Sequence, residues 1–146
     1  MEHPWTTEKV LTTEEYEAGA EKLALAIQSC QERTGKKFKY IWGIPYGGVT
    51  IAKWLADRLD LRLILQMALP IEHKDELVVA EDIVDTGNTL ARLKIKELGI
   101  PVFALFKTTW ATIEPDGYAF TKDSRGCFVR FPWWEVKGKA GYNATV

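Results

Sequence analysis

Leu77-Val78-Val79-Ala80-Glu81-Asp82-Ile83-Val84-Asp85-Thr86-Gly87-Asn88-Thr89-Leu90 is the stretch that decides how this chain folds. Its first four residues are apolar without alternation, the pattern of a strand buried on both faces in a parallel sheet. Glu81 and Asp82 follow at the strand's carboxyl end. The glycine-containing turn from Asp85 to Thr89 then feeds a helix, expected over 88–98 and closed by Gly99. Backbone N–H groups in such a turn converge on one spot, aided by the positive end of the helix and by the hydroxyls of Thr86 and Thr89. That spot suits a phosphate. Paired acids beside it would repel a diphosphate, but they suit ribose hydroxyls, which donate hydrogen bonds, and a Mg²⁺ shared with the ligand. Taken one at a time, each acid reads better as an ordinary solvated carboxylate capping a helix. Five polar residues and a glycine in register behind a buried strand favour a sugar-phosphate site.

Outward from this core, Thr12 to Glu15 spells a capping box. A helix should follow with Tyr16, Ala20, Leu23, Ala24, Ile27 and Cys30 on its inner face and Gly35 as its stop. Phe38 to Ile44 reads as a strand, Pro45-Tyr46-Gly47-Gly48 as a turn, and Val49 to Leu59 as a second amphipathic helix. The cycle repeats with a β-type run from Leu61 to Met67, a charged turn from Glu72 to Glu76, and a buried strand from Pro101 to Phe106. The fold class implied is α/β, a parallel sheet with helices on both faces. Beyond Lys107 the order dissolves into short β-like pieces, Gly117 to Phe120 and Phe128 to Phe131, read as a small flap or hood over about 108–134. The tail 135–146, rich in glycine and lysine, is expected to be flexible. At 146 residues the whole chain, 1–146, fits one domain.

The composition narrows the partners. Lysine and arginine number 19 against 20 for aspartate and glutamate, so no long-range field draws the chain to nucleic acid or an anionic membrane. No apolar run approaches the ~20 residues that cross a bilayer, and 1–9 lacks the apolar core of a signal peptide, so a cytoplasmic protein is expected. Cys30 and Cys127, with only His3 and His73 to help, match neither a disulfide framework nor a zinc pattern. The two common nucleotide motifs are also missing: Gly35-Lys36-Lys37 lacks the upstream glycine of a Walker loop, and Gly43 to Gly48 lacks the Gly-x-Gly-x-x-Gly spacing.

Val78 to Thr89 resembles the phosphoribosyl-diphosphate signature of the type I phosphoribosyltransferases, a long and specific motif. The likeness is greatest to the bacterial xanthine-guanine group and runs from about Lys9 to Trp134. The resemblance implies that Glu81 and Asp82 hold the ribose hydroxyls and metal, that Asp85, Thr86, Gly87, Asn88 and Thr89 hold the 5′-phosphate, and that Asp85 exchanges the purine N7 proton. It places Tyr46, Gly47 and Gly48 on the diphosphate and Lys107 on the 6-oxo group. Phe128 would stack on the base, and Val129 would meet its edge through the main chain. Trp133 and Trp134 would pack the hood or a subunit interface. The implied activity is transfer of 5-phosphoribosyl from phosphoribosyl diphosphate to guanine, xanthine or hypoxanthine with Mg²⁺, in a homo-oligomer, dimer or tetramer.

Two departures matter. Members usually carry arginine or lysine where Tyr46 stands, which removes a cation from the diphosphate. They also carry a long mobile loop before the signature strand, and 67–76 is too short to be that lid, though His73 and Lys74 are expected within reach of the diphosphate. The alternative reading is therefore a ribose-phosphate-binding or regulatory protein with little turnover. A nucleoside-modifying partner role for another base, such as a pyrimidine or a modified purine, is a third.

Overall fold

The computed structural model describes residues 7–123, 125 and 127–132. Of 7, 8, 127 and 128 the backbone alone is described. The expectations for Trp133, Trp134 and the tail lie outside the described residues.

A first strand, β1 (Thr7–Val10), precedes α1 (Thr13–Thr34). The capping box forms as the sequence predicts: Thr12 Oγ1 accepts from Glu15 N at 3.0 Å, and Glu15 Oε1 accepts from Thr12 N at 3.0 Å. Gly35 closes the helix in the left-handed conformation at φ 75°. All six predicted inner residues of α1 are buried. The chain continues through β2 (Tyr40–Gly43), α2 (Gly48–Leu59), β3 (Arg62–Ile64) and a 3-10 turn (Ile71–Glu76) to β4 (Leu77–Val84). Then come α3 (Asn88–Leu93), β5 (Val102–Thr108), β6 (Gly117–Lys122) and β7 (Cys127–Arg130).

Five strands form one parallel sheet in the order β3-β2-β4-β5-β6. One face packs on α1 and α2 through a core containing Leu23, Ile27, Ile51, Leu55, Val78 and Phe103. The other packs on α3 through Trp42, Val79, Leu90, Ile95 and Val102. Burial on both faces is why β4 opens with an unbroken apolar run. The strand order reverses between β2 and β4, and in open α/β sheets a ligand sits outside the strands' carboxyl ends at such a reversal.

Four expectations need correction. The signature strand does not stop at Ala80. It runs to Val84, because β5 is also longer than expected and supplies ladder partners Phe106 for Ile83 and Lys107 for Val84. Glu81 and Asp82 therefore lie inside the strand.

The helix expected over 88–98 ends at Leu93, with Lys94 left-handed at φ 56°. In an unbroken helix Leu90 and Ile95 would stand about 140° apart around the axis. The break lets both enter the same core, where they are 2 % and 0 % exposed. Burying Ile95 contributes roughly 1.5–3 kcal/mol against about 1–2 kcal/mol for one left-handed residue, so burial wins.

The hood expected over 108–134 is smaller than that range. Residues 117–122 form β6, the fifth strand of the main sheet, and among the described residues only β7 pairs with β1 outside it. The polar N-terminal lead concealed β1. Finally, the 3-10 turn lies before β4, at the amino edge of the sheet, where His73 stacks on Tyr40 with ring centroids 4.1 Å apart. His73 and Lys74 are thus at the opposite end of the strands from Glu81 and Asp82 and do not approach the turn at Gly47.

Candidate functional site

The carboxyl ends of β2 and β4 bring together two segments distant in sequence. In β2's turn the Ile44 N–H donates to Ala80 O at 3.0 Å, Gly48 N–H to Ile44 O at 2.8 Å, and Val49 N–H to Tyr46 O at 3.2 Å. These bonds engage neither the Tyr46 nor the Gly47 N–H. The Pro45–Tyr46 peptide is cis. Gly47 packs directly on β4: a Cβ there would fall 2.2 Å from Asp82 Oδ2 and 2.5 Å from its Cγ. A side chain at 47 would have to displace the Asp82 carboxylate or the turn, so the glycine seats the turn against the second acid of the pair.

The two acids face different neighbours. Asp82 lies against Gly47 and close enough to the buried Tyr16 phenol that its charge, after burial itself, pushes the phenol's pKa up. The sequence marks Tyr16 only as a core position. Glu81 is buried and lines a pocket of about 80 Å³ with Val84, Asp85, Thr86, Gly87, Asn88 and Thr89. Its Oε1 accepts from Asp82 N at 3.0 Å. Burial raises the Glu81 pKa well above the ordinary carboxylate value, and the neighbouring Asp82 charge and carboxyl–carboxyl hydrogen bond raise it further.

The turn after β4 holds Gly87 at φ 96°, and a Cβ on Gly87 would meet Ile113 N at 2.8 Å. Thr86 Oγ1 accepts from Asn88 N at 3.1 Å. Because α3 has six residues, its dipole adds less than a full helix would, and the N–H groups of the turn themselves are the main donors.

A brace missed by sequence reading crosses this turn. The connection from β5 to β6 runs back along the sheet, and Thr108 Oγ1 donates to Asp85 O. Thr112 donates to Thr86 O from N at 2.8 Å and from Oγ1 at 3.0 Å. Trp110 Nε1 donates to Asp85 Oδ1 at 2.8 Å.

A larger cleft, about 360 Å³, opens between the ends of β5 and β6 and the β1–β7 pair, lined by Lys9, Leu11, Phe106, Phe120 and Val129 among others. It contains neither of the paired acids. The glycine turn and the Glu81 and Asp85 carboxylates converge at the smaller pocket.

No family model matches the sequence, and no curated protein matches it. Solved structures do. A purine phosphoribosyltransferase from Pyrococcus horikoshii superposes with a TM-score of 0.70 at 23 % identity, over 88 % of this chain and 94 % of that one. The Helicobacter pylori xanthine-guanine-hypoxanthine phosphoribosyltransferase gives 0.67 at 18 % identity, over 93 % and 99 %. The chain has the type I phosphoribosyltransferase fold. A hypothetical protein from Neisseria gonorrhoeae, solved with bound ppGpp, gives 0.70 at 15 % identity over 97 % of each chain.

Within this phosphoribosyltransferase fold the remaining predicted residues fall as follows. Tyr46 is exposed at the turn. Lys107 lies at the end of β5 with its amine 2.5 Å from Glu114 Oε2 and 5.2 Å from the centre of the Tyr118 ring, an ion pair the sequence did not reveal. The Phe128 side chain lies outside the described atoms. Val129 pairs in register with Lys9, and Arg130 O accepts from Leu11 N at 2.9 Å. Main-chain groups alternate along a strand, so those of Val129 point to the other edge of β7.

Proposed function

We propose that the chain is a purine phosphoribosyltransferase, transferring 5-phosphoribosyl from phosphoribosyl diphosphate to guanine, xanthine or hypoxanthine. The observation that carries this is the contact of Gly47 with Asp82 at the sheet's reversal, with Glu81 turned toward the phosphate-type turn. A ribose lying over the two acids would direct its 5′-phosphate to 85–89 and its diphosphate to the N–H groups of Tyr46 and Gly47. Few other ligands present two anionic ends separated by a pair of vicinal hydroxyls.

In the reaction the C1–O bond to diphosphate breaks, a bond from C1 to the purine nitrogen forms, and the displaced proton leaves the purine. The transition state has oxocarbenium character, as in other glycosyl transfers. Glu81 and Asp82 stand where positive charge grows on the ribose, and N–H groups of the turn meet the departing negative charge. Asp85, exposed beside the phosphate turn, is the group placed to take the proton, worth about 10²–10⁴-fold if it reaches the purine nitrogen.

Mg²⁺ fits the donor set. Glu81 and Asp82 offer hard oxygen ligands, and a dication beside them would favour the charged carboxylates that burial first, and their mutual repulsion second, disfavour at Glu81. No group of three or more His, Cys, Asp or Glu is arranged for a metal among the described residues, so phosphate, hydroxyl and water oxygens would complete the shell. Bound there, the ion would neutralise the leaving diphosphate.

A second reading, a ribose-phosphate-binding or regulatory protein with little turnover, draws on specific features. Tyr46 supplies no cation, the 67–76 segment supplies no lid, and the Neisseria neighbour of the same fold holds ppGpp. Incubation with Mg²⁺, phosphoribosyl diphosphate and each of the three bases separates the two. Nucleoside monophosphate with at least one base supports the transferase, whereas binding without product supports the second reading. No helix among the described residues is long and apolar enough to cross a membrane. We further propose action in the cytoplasm as a homo-oligomer.

A further inference from the structure

We propose that Trp110 is a positioning residue for Asp85, an inference that rests on the transferase reading. Three groups of the 108–112 segment bind the phosphate turn, but they do different things. Thr108 and Thr112 take the main-chain carbonyls of Asp85 and Thr86, and these bonds already anchor the backbone. Trp110 alone takes the carboxylate, through Nε1–H on Oδ1 at 2.8 Å. An exposed carboxylate otherwise turns freely about its terminal torsion. With Oδ1 held, Oδ2 is the oxygen left to meet a purine nitrogen.

The indole is itself held. The Arg125 guanidinium lies 4.3 Å from the centre of its ring and the Lys122 amine 5.9 Å away. Both cations belong to the end of β6 and the chain just after it, so the ring is tied to a second element besides its own. Such cation–π contacts favour one ring orientation over swinging into solvent. The result is a relay of position, from β6 through the indole to the reacting carboxylate, without Trp110 touching substrate. A 1 Å error at a reacting group can cost about 10²-fold, which is the scale on which this alignment acts.

The test is a double-mutant cycle on the full chain. Trp110→Phe keeps the ring face for Arg125 but removes the N–H. We expect kcat to fall about tenfold, with KM for phosphoribosyl diphosphate and melting temperature unchanged within error, and no further fall when Trp110→Phe is added to Asp85→Asn. Unchanged kcat, or losses that multiply in the double variant, would overturn the assignment. Should Trp110→Phe fold poorly, the Trp110 indole ¹H–¹⁵N signal of the wild type is expected to shift in Asp85→Ala, and an unmoved signal would overturn it. A wild type that makes no nucleotide with any purine would remove the transferase reading and this role with it. A wild type that does, with an indifferent Trp110→Phe, would remove this role alone.

Discussion

Gly47 and Asp82 occupy the same corner of the molecule so closely that a single methyl group on Gly47 would lie 2.2 Å from the Asp82 carboxylate. One belongs to the turn after β2, the other to the end of β4. The contact therefore joins the two segments on which diphosphate and ribose binding are proposed to depend.

Gly47→Ala must displace either the turn or the acid. We expect Mg²⁺-dependent binding of phosphoribosyl diphosphate to weaken at least about tenfold, with destabilisation of roughly 1–3 kcal/mol. Titration calorimetry beside thermal melts would check both, and wild-type affinity in the variant would disprove the joint site.

Glu81 holds its proton more tightly in the folded chain than in the unfolded one, because burial and Asp82 both disfavour its charge. A raised carboxylate pKa contributes stability that is fully present below the unfolded value, 4.5, and is lost as pH rises through the folded value. Glu81→Gln removes the penalty, so the variant should melt above wild type at pH 8. The gap should close as pH falls toward 5. Melting curves with a gap independent of pH would show that Glu81 is not the source.

Asp85→Asn keeps an oxygen for Trp110 but cannot accept a proton. Turnover should fall about 10²–10⁴-fold while affinity for phosphoribosyl diphosphate stays within about tenfold. Steady-state kinetics with direct binding would decide, and near-normal turnover would remove Asp85 from the chemistry.

Much of this was legible in the residues because local rules and tertiary packing agree. The Thr12–Glu15 box, the Gly35 stop and the Leu77–Ala80 run each need only neighbours in sequence to be read. The glycine turn at Gly87 needs only its own backbone. What escaped depends on distant partners. β4 extends to Val84 because β5 is there to pair with it, α3 breaks at Lys94 because the core has room for Ile95, and β6 joins the main sheet because Phe103 and Ala104 receive it.

The site divides the same way. The proposed ribose-phosphate residues stand together in one stretch of sequence, whereas Tyr16 beside Asp82, Glu114 on Lys107 and Trp110 on Asp85 are contacts across 66, 7 and 25 positions with no spacing signal. His73 and Lys74 misled for a related reason: sequence order sets them just before the signature strand without saying at which end of the sheet.

The most direct measurement is a crystal structure of the protein with Mg²⁺ and phosphoribosyl diphosphate. The 5′-phosphate is expected on the N–H groups of 86–89, the ribose hydroxyls on Glu81 and Asp82, and the diphosphate on the turn at Gly47. Density for the ligand in the cleft beside Val129, or none between β2 and β4 at saturating concentration, would contradict the account.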